Sequence, residues 1–202
     1  VKADALVLSD GNPVSVWTDF SINGNDATQT GSARPILKTN IVNALPVVRF
    51  AFASSQYFTM TSPIVSTVSW TILSVMKPSG AAVQMWSLSN STTQGQLSPI
   101  YNSDGQLYLG ASNVLWFGGV GDSTAFHIYT GTSAVELFVD GSSRSLSFIA
   151  SGSSGDFDRI GSSGASFNDG DLAEVICYDS VLSSGNRGLV ESYLSVKYGI
   201  PI

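Results

Sequence analysis

Val135-Glu136-Leu137-Phe138-Val139-Asp140-Gly141-Ser142 joins a short apolar run to an Asp-Gly pair. Alternation at period two places successive side chains on opposite faces of an extended chain. Asp-Gly after such a run is a strong hairpin signal, because a type I′ turn needs positive φ at both central residues. Ser103-Asp104-Gly105-Gln106 carries the same signal. Comparable runs, rich in β-branched and aromatic residues, occur at 47–52, 57–60, 67–76, 83–89, 106–109 and 126–130. Asn23-Gly24, Pro78-Ser79-Gly80 and Asp169-Gly170 add further breaks. Short strands separated by such turns predict an all-β protein: a two-sheet antiparallel sandwich of jelly-roll type.

One segment follows a different period. Over 183–198, Leu189, Val190, Tyr193, Leu194 and Lys197 recur at helical spacing, and Ser183 or Ser184 can cap the start. Gly199 suits a left-handed stop, with Pro201 just beyond it. The expectation is one short C-terminal helix packed on an edge or end of the sandwich.

Composition narrows the classes of function. The chain has 202 residues, only 12% of them charged, with a formal charge of −6. Mean hydropathy is +0.20, which argues against disorder. The length suits one domain over residues 1–202, and the start at Val1 reads as part of a longer chain. No cluster of Lys and Arg is present to neutralise phosphates, which excludes a nucleic-acid partner. No apolar run approaches the roughly 20 residues of a spanning helix, so membrane insertion is not expected. The single cysteine, Cys177, rules out an internal disulfide framework. Abundant Ser and Gly with scarce Lys and Glu resemble secreted or surface-displayed β proteins.

Three stretches together resemble a known family. Trp17-Thr18-Asp19-Phe20-Ser21-Ile22-Asn23-Gly24-Asn25-Asp26-Ala27 resembles an opening W-x-D-x-S-G-N-G-N-D-A signature, and Leu45-Pro46-Val47-Val48-Arg49-Phe50 the strand after it. Gly170-Asp171-Leu172-Ala173-Glu174-Val175-Ile176-Cys177-Tyr178-Asp179-Ser180-Val181-Leu182-Ser183 resembles the closing strand, with residues 190–200 as its trailing helix. The pattern is similar to the concanavalin A-like (laminin-G-like) jelly rolls of bacteria and phages. Ile22, Ala51-Phe52 and Ser180 depart from it. The resemblance implies two stacked antiparallel sheets of about a dozen strands. It does not imply one activity, because the architecture hosts lectins, glycanases, adhesion modules and structural parts.

Catalysis finds little support in the residues. Glycan hydrolysis needs two carboxylates flanking the scissile bond. Glu136 and Asp140 lie four apart, but Phe138 stands between them and Asp140 belongs to a turn signal. Glu174 reads as a structural carboxylate, and His127, the only histidine, as a packed or hydrogen-bonded strand residue. No nucleophile elbow and no nitrogen- or sulfur-rich zinc set is present. The chain is therefore read as not an enzyme.

Binding is the better-supported class. Asp19, Ser21 and Asn23 space oxygen ligands as a calcium loop does, with Gly24 in sixth place, which makes Asp19 and Asn23 candidate calcium ligands. The same residues suit a hydrogen-bonded Asx turn. Laminin-G-like relatives often carry calcium, so the resemblance leaves it a possible cofactor. A sugar site needs exposed aromatics beside amide and carboxylate groups, and Trp86, Tyr101, Asn102, Tyr108 and Trp116 are the candidates. Trp17 and Trp70 are assigned to the core or to loop anchoring. The reading is a non-catalytic, carbohydrate-binding domain on a secreted, cell-surface or virion protein. Its alternative is a structural or decoration module, for example of a phage capsid or tail, whose partners are neighbouring protein subunits.

Overall fold

A computed structural model describes residues 1–64, 69–80, 85, 88–89, 97–101, 106–110, 113–117, 125–151, 156–164 and 166–202. The protein is a β-sandwich with one C-terminal helix. Every strand pairing among the described residues is antiparallel. The largest sheet has seven strands, in the order Ser142–Ser143, Glu136–Val139, His127–Thr132, Thr71–Pro78, Gly170–Tyr178, Leu45–Phe50 and Ile36–Val42. Opposite it lies a four-stranded sheet of Val16–Trp17, Ala27–Thr28, Phe58–Ile64 and Phe157–Ile160. Leu146–Ser151, Asn113–Phe117, Gln106–Gly110 and Leu97–Tyr101 form a second four-stranded sheet.

The Asp-Gly turn forms as its chemistry requires. Asp140 has φ 49° and Gly141 φ 72°, and Val139 pairs with Ser142 across them. At the second signal, Tyr101 pairs with Gln106, while residues 102–105 themselves lie outside the described residues. Most of the expected run 83–89 lies there too, although Ser89 bridges to Arg159.

Two apolar clusters share the seven-stranded sheet as a common wall. Between the sheets, Trp17, Ala27, Phe58, Phe157 and Ile160 meet Phe50, Ile72, Met76, Tyr129 and Leu172. On the outer face, Leu73, Val75, Ile128 and Ala173 meet Leu194 and Tyr198 of the helix. The strand Thr71–Pro78 is consequently buried on both faces, the reason its sequence is a near-continuous apolar run.

The helix spans Ser184–Tyr198, with Ser183 Oγ accepting from the Asn186 N–H and Gly199 at φ 67° ending it. It covers the outer face of the large sheet rather than an edge or end, because Leu73 and Val75 offer an apolar surface there. Leu189, expected in the buried stripe, is exposed, and Leu194 and Tyr198 carry the contact instead.

A bulge completes the arrangement. The register between Gly170–Tyr178 and Thr71–Pro78 shifts between Leu172 and Glu174. Ala173 and Glu174 therefore both serve the helix side, while Leu172 and Val175 both belong to the interior cluster. Such a bulge re-aims the residues beyond it, and Val175 and Cys177 reach one end of the sandwich, where a cleft opens.

Candidate functional site

The cleft is built by the loop after Trp17. Trp17 is buried against Phe58, ring centroids 5.8 Å apart, which anchors the loop's start. Asp19 then organises the turn: Oδ1 accepts from the Ser21 N–H at 2.9 Å, and Oδ2 accepts from Ser21 Oγ at 2.6 Å and the Asn25 N–H at 2.9 Å. The Asp19 N–H donates to Asp26 Oδ1 at 2.8 Å. Asn25 clamps the far side to the strand Phe58–Ile64, its Oδ1 accepting from the Ser62 N–H and its Nδ2 donating to the Ser62 carbonyl. Partial burial raises the Asp19 pKa, but the Ser21 and Asn25 hydrogen bonds outweigh it and hold the carboxyl below its ordinary value.

Asp19 thus accepts three donors from its own loop. Among the described residues no three His, Cys, Asp or Glu side chains gather as metal ligands. This donor set fits a self-locked Asx turn better than a cation cage, which wants six to eight oxygens around one point.

Beside the loop lies a cavity of about 400 Å³, within the usual range for small-molecule sites. Part of its lining is apolar: Met60, Ile64, Trp70, Leu88, Ile160 and Val175. Part carries hydrogen-bonding groups: Asp19, Ser21, Asn23, Asn25 and Asp179. A shallower groove of about 260 Å³ adjoins it, sharing Asp19, Ser21, Val175 and Cys177, and is lined further by Lys2, Phe20, Glu174 and Tyr193. Phe20 and Tyr193 are 60% and 46% exposed, so two aromatic rings border the groove. Burial pushes the Cys177 thiol up to about 12, so no thiolate is available there.

Other acidic residues, among them Asp140, Glu136 and Glu174 of the sequence analysis, hold the fold together. Asp140 accepts from the Ile128 N–H at 2.8 Å and meets His127 Nδ1 at 2.6 Å. Glu136 accepts from Thr132 Oγ1. Glu174 receives Lys197 and Tyr198, and Glu191 receives Arg187 and Thr130. Arg49 grips Asp171 with two hydrogen bonds of 2.6 and 2.8 Å, linking two of the stretches that carried the family resemblance.

The aromatic candidates for a sugar site stand elsewhere. Trp86 and Asn102 lie outside the described residues. Tyr101, Tyr108 and Trp116 belong to the second four-stranded sheet, in which Tyr108 and Trp116 are register partners. Sequence reasoning singled out Asp19 and Asn23 of the cleft, and missed Phe20, Tyr193, Met60, Ile64 and Asp179. These come from four separate parts of the chain; only the apolar Phe20 and Ile22, set inside a polar Asx loop, signalled an exposed binding element.

No family's sequence pattern matches this chain, and no curated protein matches it in sequence. Several solved structures share its fold. A Trypanosoma rangeli sialidase in complex with the inhibitor DANA aligns over 91% of this chain and 32% of its own, with a TM-score of 0.56 and 17% identity. A botulinum neurotoxin serotype D ligand-binding domain in complex with N-acetylneuraminic acid aligns over 100% and 55%, with a TM-score of 0.53 and 10% identity. An arabinofuranosidase complexed with arabinofuranosyl-alpha-1,2-xylobiose aligns over 92% and 51%, with a TM-score of 0.57 and 12% identity. The chain spans about a third to a little over half of these structures. At such identities the likeness is one of fold.

Proposed function

We propose that this chain is a non-catalytic carbohydrate-recognition domain, concanavalin A-like in kind, and a single module of a larger secreted, cell-surface or virion protein. The observation that carries the reading is the cleft, whose lining combines apolar side chains with hydroxyl, amide and carboxylate groups. A pyranose has the same mixed character: its C–H face packs on apolar surface while its hydroxyls need partners. Phe20 and Tyr193 at the adjoining groove supply rings on which a further sugar unit stacks. The neighbours of similar fold include proteins whose structures hold a saccharide or a sialic acid, which supports the class of ligand but not its identity.

Hydrolysis fits less well. A glycosidase needs one carboxylic acid kept protonated opposite a second carboxylate. Asp19 and Asp179 share the cleft, but the Asp19 carboxyl is held below its usual range by three donors, the opposite of what a general acid requires.

The test is a glycan array probed with multivalently displayed protein, because single sites of this kind bind weakly and gain by multivalency. Phe20→Ala and Asn23→Ala, both at exposed loop positions, are expected to lower the signal about tenfold with the fold intact. Undiminished binding by these variants, with loss in Trp116→Ala or Trp86→Ala, would move the site to the sheet carrying Tyr101, Tyr108 and Trp116. A blank array would overturn the reading. Repeating the array in calcium and in chelator tests the Asp19–Asn23 loop, and equal binding is expected.

A second reading has one observation in its favour. Leu189, Tyr193 and Val196 form an outward stripe on the helix, Leu189 being 71% and Val196 82% exposed. Such a stripe suits a structural module packed against neighbouring subunits. Concentration-dependent association in sedimentation, abolished by Val196→Glu, would favour it.

A further inference from the structure

Resting on the cleft as the sugar site, we infer that it admits neutral and amine-bearing sugars and excludes carboxylate-bearing ones, sialic and uronic acids included. The deeper cavity is lined by two carboxylates, Asp19 and Asp179, and by no Lys, Arg or His among the described residues. The amino group of Val1 also borders it but is turned to the Val175 carbonyl, 2.9 Å away. The adjoining groove, lined by Asp19 and Glu174, also carries Lys2, whose ammonium lies 5.3 Å from the centre of the Phe20 ring. Lys197, the next cation along, is spent on Glu174 and Asp4 at 2.8 and 2.9 Å.

A ligand carboxylate entering the deeper cavity would shed water and meet Asp19 and Asp179, with no Lys, Arg or His side chain among the described lining residues to replace that water. A buried charge without a partner is costly, and facing like charges adds to the cost. Sugar hydroxyls and ammonium groups are donors, and donors to a carboxylate make the stronger class of hydrogen bond. Asp19 stays ionised through neutral pH because its loop already stabilises the charged form. Selectivity therefore comes from a built-in repulsive element as well as from fit.

The experiment is a glycan array on which each neutral glycan stands beside its sialylated or uronylated counterpart, and each N-acetylated sugar beside its free amine. The neutral or amine member of a bound pair is expected to exceed its acidic counterpart by about tenfold. Asp179→Asn, at an exposed position, is expected to narrow that ratio about threefold without shifting the melting temperature. Raising the salt concentration should narrow it as well. Acidic members bound as tightly as neutral ones, or a ratio that Asp179→Asn leaves untouched, would overturn this selectivity while leaving the sugar site standing. Silence across every pair would overturn the site and the selectivity together.

Discussion

Lys197, in the last turn of the helix, places its ammonium 2.8 Å from Glu174 Oε2, and Tyr198 donates to that same oxygen at 2.8 Å. Glu174 owes its position to the bulge after Leu172, so a local irregularity of one strand becomes the anchor of the helix. Asp4 adds a second acceptor to Lys197 at 2.9 Å, drawing the N-terminal segment into the same knot.

Removing the central carboxylate should be the costliest single change in this network. Glu174→Ala leaves the buried Tyr198 phenol without its acceptor and takes one of two carboxylates from the half-buried Lys197 ammonium, which keeps Asp4. Stranding a buried hydroxyl costs about 1–3 kcal/mol, and urea denaturation should show a loss of stability of that size. Glu174→Gln keeps an acceptor for Tyr198 and is expected to lose less. Equal losses in the two variants would mean that the charge, not the hydrogen bond to Tyr198, holds the helix down.

The same knot gives stability an alkaline limit. Burial works to lower the Lys197 pKa, but hydrogen bonds to Glu174, Asp4 and Tyr193 dominate and raise it. Burial and the Glu174 charge raise that of Tyr198. Both groups hold their protons more tightly in the folded state than in the unfolded chain, where they titrate near about 10. The unfolded chain loses its protons first, so stability is intact below about pH 10 and falls as the pH rises toward the folded values. Denaturant midpoints measured from pH 8 to 11.5 should trace that fall, and Tyr198→Phe should make it shallower.

What could be read from the sequence was what is local. The turn at Asp140-Gly141 and the cap at Ser183 each involve neighbours a few residues apart, and both form. The helix's docking face was not legible, because Leu73 and Val75 were read with Ile72 and Met76 as one apolar strand. Their burial on two sides shows only once the helix is placed. Ala173 and Glu174 escaped for a similar reason, since a bulge leaves no mark in a pattern of alternation. The cleft was half visible: Asp19 and Asn23 stand in one motif, but Tyr193, Trp70 and Asp179 join them from far along the chain.

A close approach at the start of the closing strand predicts a severe effect from a small change. Gly170 has φ +150°, and a Cβ there would stand 2.4 Å from the Lys77 carbonyl oxygen and 2.8 Å from Pro78 Cα. Backbone cannot move aside as a flexible side chain does. Gly170→Ala is expected to cost roughly 3–5 kcal/mol through overlap and strain together. Thermal unfolding of this variant beside Gly185→Ala, where nothing lies within 4 Å, is the check. Gly185 is near the start of the helix, where alanine favours helix formation, so that variant should hold or gain stability.

The Asp19 turn makes the opposite kind of prediction, one confined to its own loop. Asp19→Ala strands the Ser21 and Asn25 N–H groups, but the loop is open enough for water to reach them. The expected loss is about 1 kcal/mol, at the low end for a lost charged acceptor. Because the folded carboxyl sits below its ordinary pKa, its contribution is present above about pH 4 and is lost as the pH falls through the folded value. Hydrogen exchange should show the Ser21 and Asn25 amides opening faster in Asp19→Ala, and faster in the native protein as the pH is lowered, once the intrinsic pH dependence is removed. Asp19→Asn, which keeps an acceptor but no charge, should erase the acid dependence while slowing exchange relative to Asp19→Ala. If all three proteins exchange alike at these amides, the carboxylate does not hold the turn, and the rim of the cleft is set instead by Asn25 and Ser62.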